Sequence, residues 1–234
     1  MENTEPKKSN PIYSIIVLVA VLAVGYYIYS NYSKSNPSTV TENNSNNTVA
    51  TSTSNNTNIS QILNVGTEEL TGEQIKAIPI PSLVRQISFP AGMAEDAKAI
   101  YRTKIENLES LLKKDSNSFQ NWIDLGVFRK GIEDYEGARE VWEYASKRWP
   151  GNSISFGNLG DLYAFYLKDY KKAENSFLQS IKNTPDRERA YLQLADFYLN
   201  VVKDTAKAES ILEEGIREAG TNENLRQMLD IIGK

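Results

Sequence analysis

The sequence predicts an all-α domain of stacked helix pairs, carried behind one membrane-spanning helix. Three observations predict it. One pattern recurs three times: DLGVFRKGIEDYEGAREVWEYA from Asp124, NLGDLYAFYLKDYKKAENSFLQSI from Asn158 and QLADFYLNVVKDTAKAESILEEGI from Gln193. Each copy reads as apolar residues at helical spacing, a short break, and a second helical run. Upstream, Ile12 to Tyr29 forms an uncharged apolar stretch. One helix pair cannot bury its own apolar face, so repeated pairs must stack into an α-solenoid.

In chain order, residues 1–11 form a short polar tail and 12–32 the membrane span. Ile12 to Tyr29 has no charged residue; at ~1.5 Å per residue it makes a ~27 Å rod, enough for a hydrocarbon core. Tyr13 at one end and Tyr26, Tyr27, Tyr29 and Tyr32 at the other suit the two interfaces. A cleaved signal peptide requires small residues at its end, where this segment has GYYIY, and a lipoprotein requires a cysteine, which the chain lacks. Lys7 and Lys8 precede the span and only Lys34 follows closely. The positive-inside rule therefore expects a cytoplasmic N-terminus and an extracytoplasmic repeat domain.

Residues 33–60 are rich in Asn, Ser and Thr and poor in large apolar side chains. Such composition cannot offset its ordering entropy, so a disordered tether is expected, spanning ~30 Å on average. Its Asn-x-Ser/Thr triplets, headed by Asn43, Asn46, Asn55 and Asn58, arise readily in a tract of this composition, as does one at Asn31. Residues 61–92 change character. Prolines at 79, 81 and 90 forbid a helix through IPIPSLVRQISFPAG, yet the stretch carries Ile78, Ile80, Leu83, Val84, Ile87 and Phe89. An extended apolar arm is expected, docked on the first helices through Leu83, Ile87 and Phe89, either sealing the N-terminal end or occupying part of the groove as a built-in ligand; a disordered linker is the alternative. Ala94 to Lys114 reads as a helix with Ala97, Tyr101, Ile105, Leu108 and Leu112 on one stripe.

The repeat domain (93–234) divides into units at about 119–152, 153–187 and 188–222, closed by a helix over 223–234 with Leu225, Met228, Leu229 and Ile232 on one face. Leu125, Leu159 and Leu194 are equivalent, 34 and then 35 residues apart. So are Trp122, Phe156 and Tyr191; Gly126, Gly160 and Ala195; Arg129, Tyr163 and Tyr198; Ala138, Ala173 and Ala208; Trp142, Phe177 and Leu212. Asp134, Asp169 and Asp204 stand four residues before the second-helix alanine, where an N-cap belongs. Pro150 and Pro185 follow their helices. The pattern resembles the tetratricopeptide repeat, W-x2-L-G-x2-Y, then A-x3-F, then P, over about Phe119 to Thr221. Arg129 departs from the first Tyr, and the third unit departs at Gly215 and Gly220.

The resemblance implies a groove lined by the first helix of each pair, where this family commonly binds peptides or partner proteins. Its groove positions fall on Ile123, Asp124 and Val127; on Gly157, Asn158 and Asp161; and on Arg189, Leu192, Gln193 and Asp196. Asn158 and Gln193 are placed to hold a peptide backbone, and Asp161 and Asp196 to meet a basic side chain. A plain solvated inner face is the competing reading. The family's carboxylate clamp needs Lys and Asn where this chain has Ile123 and Val127, so that subtype is excluded.

Other function classes lose ground on composition. The chain has no His and no Cys, which removes imidazole and thiolate chemistry, disulfides and their metal sites. Glu68–Glu69, Glu133–Asp134 and Asp186–Glu188 read as caps and solvated turns, and no phosphate-cradling glycine loop occurs. Neither an enzyme nor any cofactor or small-molecule substrate is expected. The net charge of −4 argues against a nucleic-acid partner. The expected function is a membrane-anchored protein-interaction scaffold; a structural or self-associating module with no groove ligand is the alternative.

Overall fold

The computed structural model describes residues 77–220 and 222–233. The apolar span Ile12 to Tyr29, the Asn/Ser/Thr tract and residues 61–76 of the arm lie outside the described residues. Among the described residues the regular structure is all helical, and no helix is long and apolar enough to cross a membrane. The helices are α1 (Glu95–Lys114), α2 (Phe119–Gly131), α3 (Tyr135–Arg148), α4 (Ser153–Asp161), α5 (Tyr170–Asn183), α6 (Glu188–Asp196), α7 (Thr205–Glu218) and α8 (Glu223–Ile232). α2 packs on α3, α4 on α5 and α6 on α7; α3 also meets α4, α5 meets α6, and α7 meets α8.

Local chemistry fixes the helix starts. Asp134, Asp169 and Asp204 accept from the backbone N–H of Gly137, Lys172 and Lys207 at 3.0, 3.2 and 3.0 Å. Ser118, Asn152 and Asn222 cap α2, α4 and α8 in the same way. Each such cap contributes about 1 kcal/mol by satisfying an orphan donor. α6, which begins after Arg187, has no side-chain cap.

The second and third units hold one residue more than the first between the small first-helix residue and the capping aspartate. A π-helical stretch absorbs it, at Leu162–Leu167 and again at Phe197–Val202. The chain then returns to the same cap. Asp134 N donates to Arg129 O at 2.9 Å, whereas Asp169 N and Asp204 N donate one residue further back, to Tyr163 O and Tyr198 O at 3.0 and 2.9 Å. The residue before each cap turns left-handed: Glu133, Lys168 and Lys203 have φ of 63°, 59° and 64°.

Inside each pair a small residue lies under a large ring. A Cβ at Gly126 would fall 2.1 Å from the Trp142 indole nitrogen, and one at Gly160 2.4 Å from the Phe177 ring. The Trp142 Nε1–H donates to Ile123 O at 3.1 Å, tying the ring to the helix it covers. The third unit reverses the arrangement: Gly215 on α7 lies under the Tyr191 ring of α6. The departure at Gly215 is therefore a packing requirement.

The arm lies against this core. Leu83 is buried, and Ile78, Ile87 and Phe89 pack partly buried against it. Arg129, where the aligned units have Tyr, is only 1% exposed. Its guanidinium meets Glu109 of α1 at 3.1 Å, Gly137 O at 3.3 Å and Ser82 O of the arm at 3.1 Å. A buried charge is tolerable only when paired and fully hydrogen-bonded, so this knot holds α1, the start of α3 and the arm in one register. Arg85 adds Asp134 at 2.8 Å and Glu140 at 3.3 Å, and Arg102 lies over the Phe89 ring at 5.1 Å. These arm contacts fall on α1, the end of α2 and α3.

Gly160→Ala should destabilise the domain by about 1–3 kcal/mol, since neither the Phe177 ring nor the helix backbone can yield freely. Gly151→Ala is the control, with nothing within 4 Å of its new methyl. Thermal melts should show Gly160→Ala several degrees below wild type and Gly151→Ala level with it; equal midpoints would contradict the close approach.

Candidate functional site

The residues of α2, α4 and α6 left outside the core form a largely polar set, and a side-chain hydrogen bond bridges α4 and α6 through it. Ile123 is not part of it: at 5% exposure it belongs to the core. Asp124, one residue on, is half-buried, and its carboxylate accepts from Gln120 Nε2 at 2.7 Å. Val127 is half-buried and packs against the core. Gly157 is buried; a Cβ there would approach the Gln193 amide oxygen to 3.1 Å. Asn158, Leu192, Gln193 and Asp196 are half-buried and Arg189 is exposed.

The structure brings Asp161 and Gln193 together, with Gln193 Nε2 donating to the carboxylate at 2.9 Å across α4 and α6. Asp196 turns instead to Asn200, accepting from its Nδ2 at 2.6 Å. Arg189 and Lys130 lie within electrostatic reach of Asp161. The Lys130 ammonium lies over the Tyr166 ring at 4.7 Å, linking the end of α2 to the π-helical stretch after α4.

Both interior carboxylates are held above their ordinary pKa. Burial raises Asp161; Lys130, the Gln193 hydrogen bond and Arg189 pull it back, and Asp196 adds to the rise. Burial also raises Asp124, opposed by Gln120 and Lys104. Carboxylates stripped of water without a close cation favour proton donors and cations as neighbours. Gln120 and Lys130 were not singled out in the sequence. Gln120 is legible in retrospect as an i, i+4 pair with Asp124, whereas nothing in RKG distinguishes Lys130.

At the C-terminal end an open depression of about 480 Å³ is lined by Glu209, Glu213, Leu229, Asp230 and Gly233. Its carboxylates form no metal-holding group among the described residues. No protein-family model matches this chain, and no curated protein matches it.

Because the folded state holds the Asp161 proton more tightly than the unfolded chain does, the ionised carboxylate subtracts stability at neutral pH. That penalty is relieved as pH falls from neutrality towards the ordinary carboxylate range. Asp161→Asn should therefore raise the melting temperature at pH 7 and shrink the gain that wild type shows on acidification, keeping an oxygen for Gln193. A variant less stable at pH 7, with wild-type pH dependence, would contradict the assignment.

Proposed function

We propose that residues 93–234 form a tetratricopeptide-type solenoid, and that its inner face binds a peptide or partner-protein segment. On this reading, Ile12–Tyr29 anchors the chain in a membrane with the N-terminus cytoplasmic and the repeats outside. Support for the repeat comes from recurrence of physical roles at the 34- and 35-residue spacing. The aspartate cap recurs in all three units. The glycine under a ring recurs in the first two, and the tie from residue 129, 163 or 198 to a carboxylate of a preceding helix recurs in all three. Arg129 meets Glu109, Tyr163 hydrogen-bonds Glu143, and Tyr198 donates to Glu174 at 2.7 Å.

The observation that carries the binding reading is the Asp161–Gln193 bridge, with half-buried Asn158 and Leu192 on the same two helices. Polar groups able to pair with a peptide backbone stand there next to apolar surface, and recognition sites combine these two elements. The raised Asp161 favours a donor or cation in that segment. The arm contacts α1, the end of α2 and α3, so its described contacts fit a clasp on the N-terminal end of the stack.

Affinity capture of the full chain from detergent-solubilised membranes tests this, comparing wild type with Asn158→Ala combined with Asp196→Ala. A partner recovered with wild type and lost from the double variant, at an unchanged melting temperature, is expected. The same partners on both proteins would contradict an inner-face site.

A further inference from the structure

The turns within the second and third pairs, α4–α5 and α6–α7, carry a chemistry that the inner face does not use. Lys168 and Lys203 hold equivalent places there, each just before a capping aspartate, each exposed and each left-handed. A left-handed residue carries a steric cost that glycine avoids, yet both positions are lysine. Lys171, exposed on the first turn of α5, stands close by in sequence. Lys168 and Lys203 have no partner among the described residues, and Lys171 acts only through space, on the Asp169 carboxylate. The neighbouring carboxylates are already engaged. Asp169 takes the Lys172 amide and, at 3.0 Å, its ammonium; Asp204 takes the Lys207 amide; Glu174 takes the Tyr198 hydroxyl and the Lys207 ammonium.

Large side chains stand exposed beside these lysines: Tyr166 at 41%, Tyr170 at 47% and Val202 at 42%. Ring contacts tie these side chains to the stack. Tyr135 meets Tyr166 in a tilted contact at 4.7 Å between ring centroids, and Tyr170 reaches the buried Phe197 at 6.3 Å. In the first turn the place of Lys168 is taken by Glu133, so the cationic stretch belongs to the second and third turns.

We propose that this edge rests on the anionic headgroup surface of the bilayer in which the chain is anchored. Tyrosine favours the depth of the membrane interface, and lysines near an anionic leaflet are drawn to it. Exposed lysines close in sequence to exposed tyrosines match a surface that is negative and interfacial at once. A nucleic-acid partner fits less well, because it calls for a broad basic face and the chain carries net −4. The proposal rests on the anchor reading, which makes docking intramolecular, so a few weak contacts suffice. The chain between Tyr32 and Ala77 is long enough to allow it. Docking by this edge leaves the face of Asn158 and Gln193 free for a partner.

The lack of cysteine gives a clean test. Thr205→Cys, exposed at the start of α7, and Asp186→Cys, exposed beyond the far end of α5, each accept a single fluorophore. The full labelled chain is reconstituted into phosphatidylcholine vesicles with or without phosphatidylglycerol, with a headgroup spin-labelled lipid as quencher. Quenching at Thr205 that requires phosphatidylglycerol, with little at Asp186, is expected. Lys168→Gly combined with Lys203→Gly relieves the left-handed backbone and so keeps the fold. It should lower the docked-to-free ratio roughly fivefold per lysine removed. Equal quenching of the two labels, or quenching indifferent to phosphatidylglycerol, overturns the proposal. So does a Thr205 label that ignores vesicles and responds to an oligonucleotide. Alkaline carbonate separates the two readings: protein washed off the vesicles refutes the anchor, while protein retained but unquenched at Thr205 refutes the docking alone.

Discussion

Everything else in this chain depends on how closely two helices of a pair approach. Gly126 lies under Trp142 and Gly160 under Phe177 at distances no side chain permits. That contact fixes which faces of α2 and α4 are spent on the core. The opposite faces, with Asp124, Asn158 and Asp161, are left over as a consequence. The polar face is thus the remainder after packing, and its residues sit one or two positions from the glycines that hold the pair together, which turns them to another side of the helix.

The same constraint explains the irregular backbone. With the glycine and the capping aspartate both fixed, an extra residue between them must be stored without moving either. A π-helical turn does this locally, and it does so twice, in the second and third units. It leaves Tyr163 and Tyr198 in position to bond carboxylates of preceding helices, and it brings Lys168 and Lys203 out at the turn in a left-handed conformation. Arg129 meets the equivalent need in the shorter first unit with a buried ion pair, and recruits the arm through Ser82 O to complete its hydrogen bonds.

Much of this was legible in the sequence, for physical reasons. The cap aspartates have one favoured job, so the helices that follow them start at Tyr135, Tyr170 and Thr205, directly after Asp134, Asp169 and Asp204. The apolar arm was legible because Leu83, Ile87 and Phe89 demand burial, although Ile80 and Val84 beside them stay exposed. The 34- and 35-residue spacings announced an extra residue, but nothing local in LYAFYL or FYLNVV says whether a loop or a π-turn takes it. Arg129 read as a substitution for Tyr, because a buried guanidinium is decided by partners 20 and 47 residues away. Ile123 read as a groove residue by position and is a core residue by packing. Which side of a helix a borderline position faces depends on tilt, and spacing alone does not set tilt.

The central claim is that the face left over by packing is the face that binds. Photo-cross-linking in the cell that makes the protein tests it most directly, with a cross-linker placed at Asn158 on the inner face or at exposed Lys147 on α3. The account predicts a discrete cross-linked partner from Asn158 and none from Lys147. A partner captured from Lys147 and absent at Asn158 would contradict it.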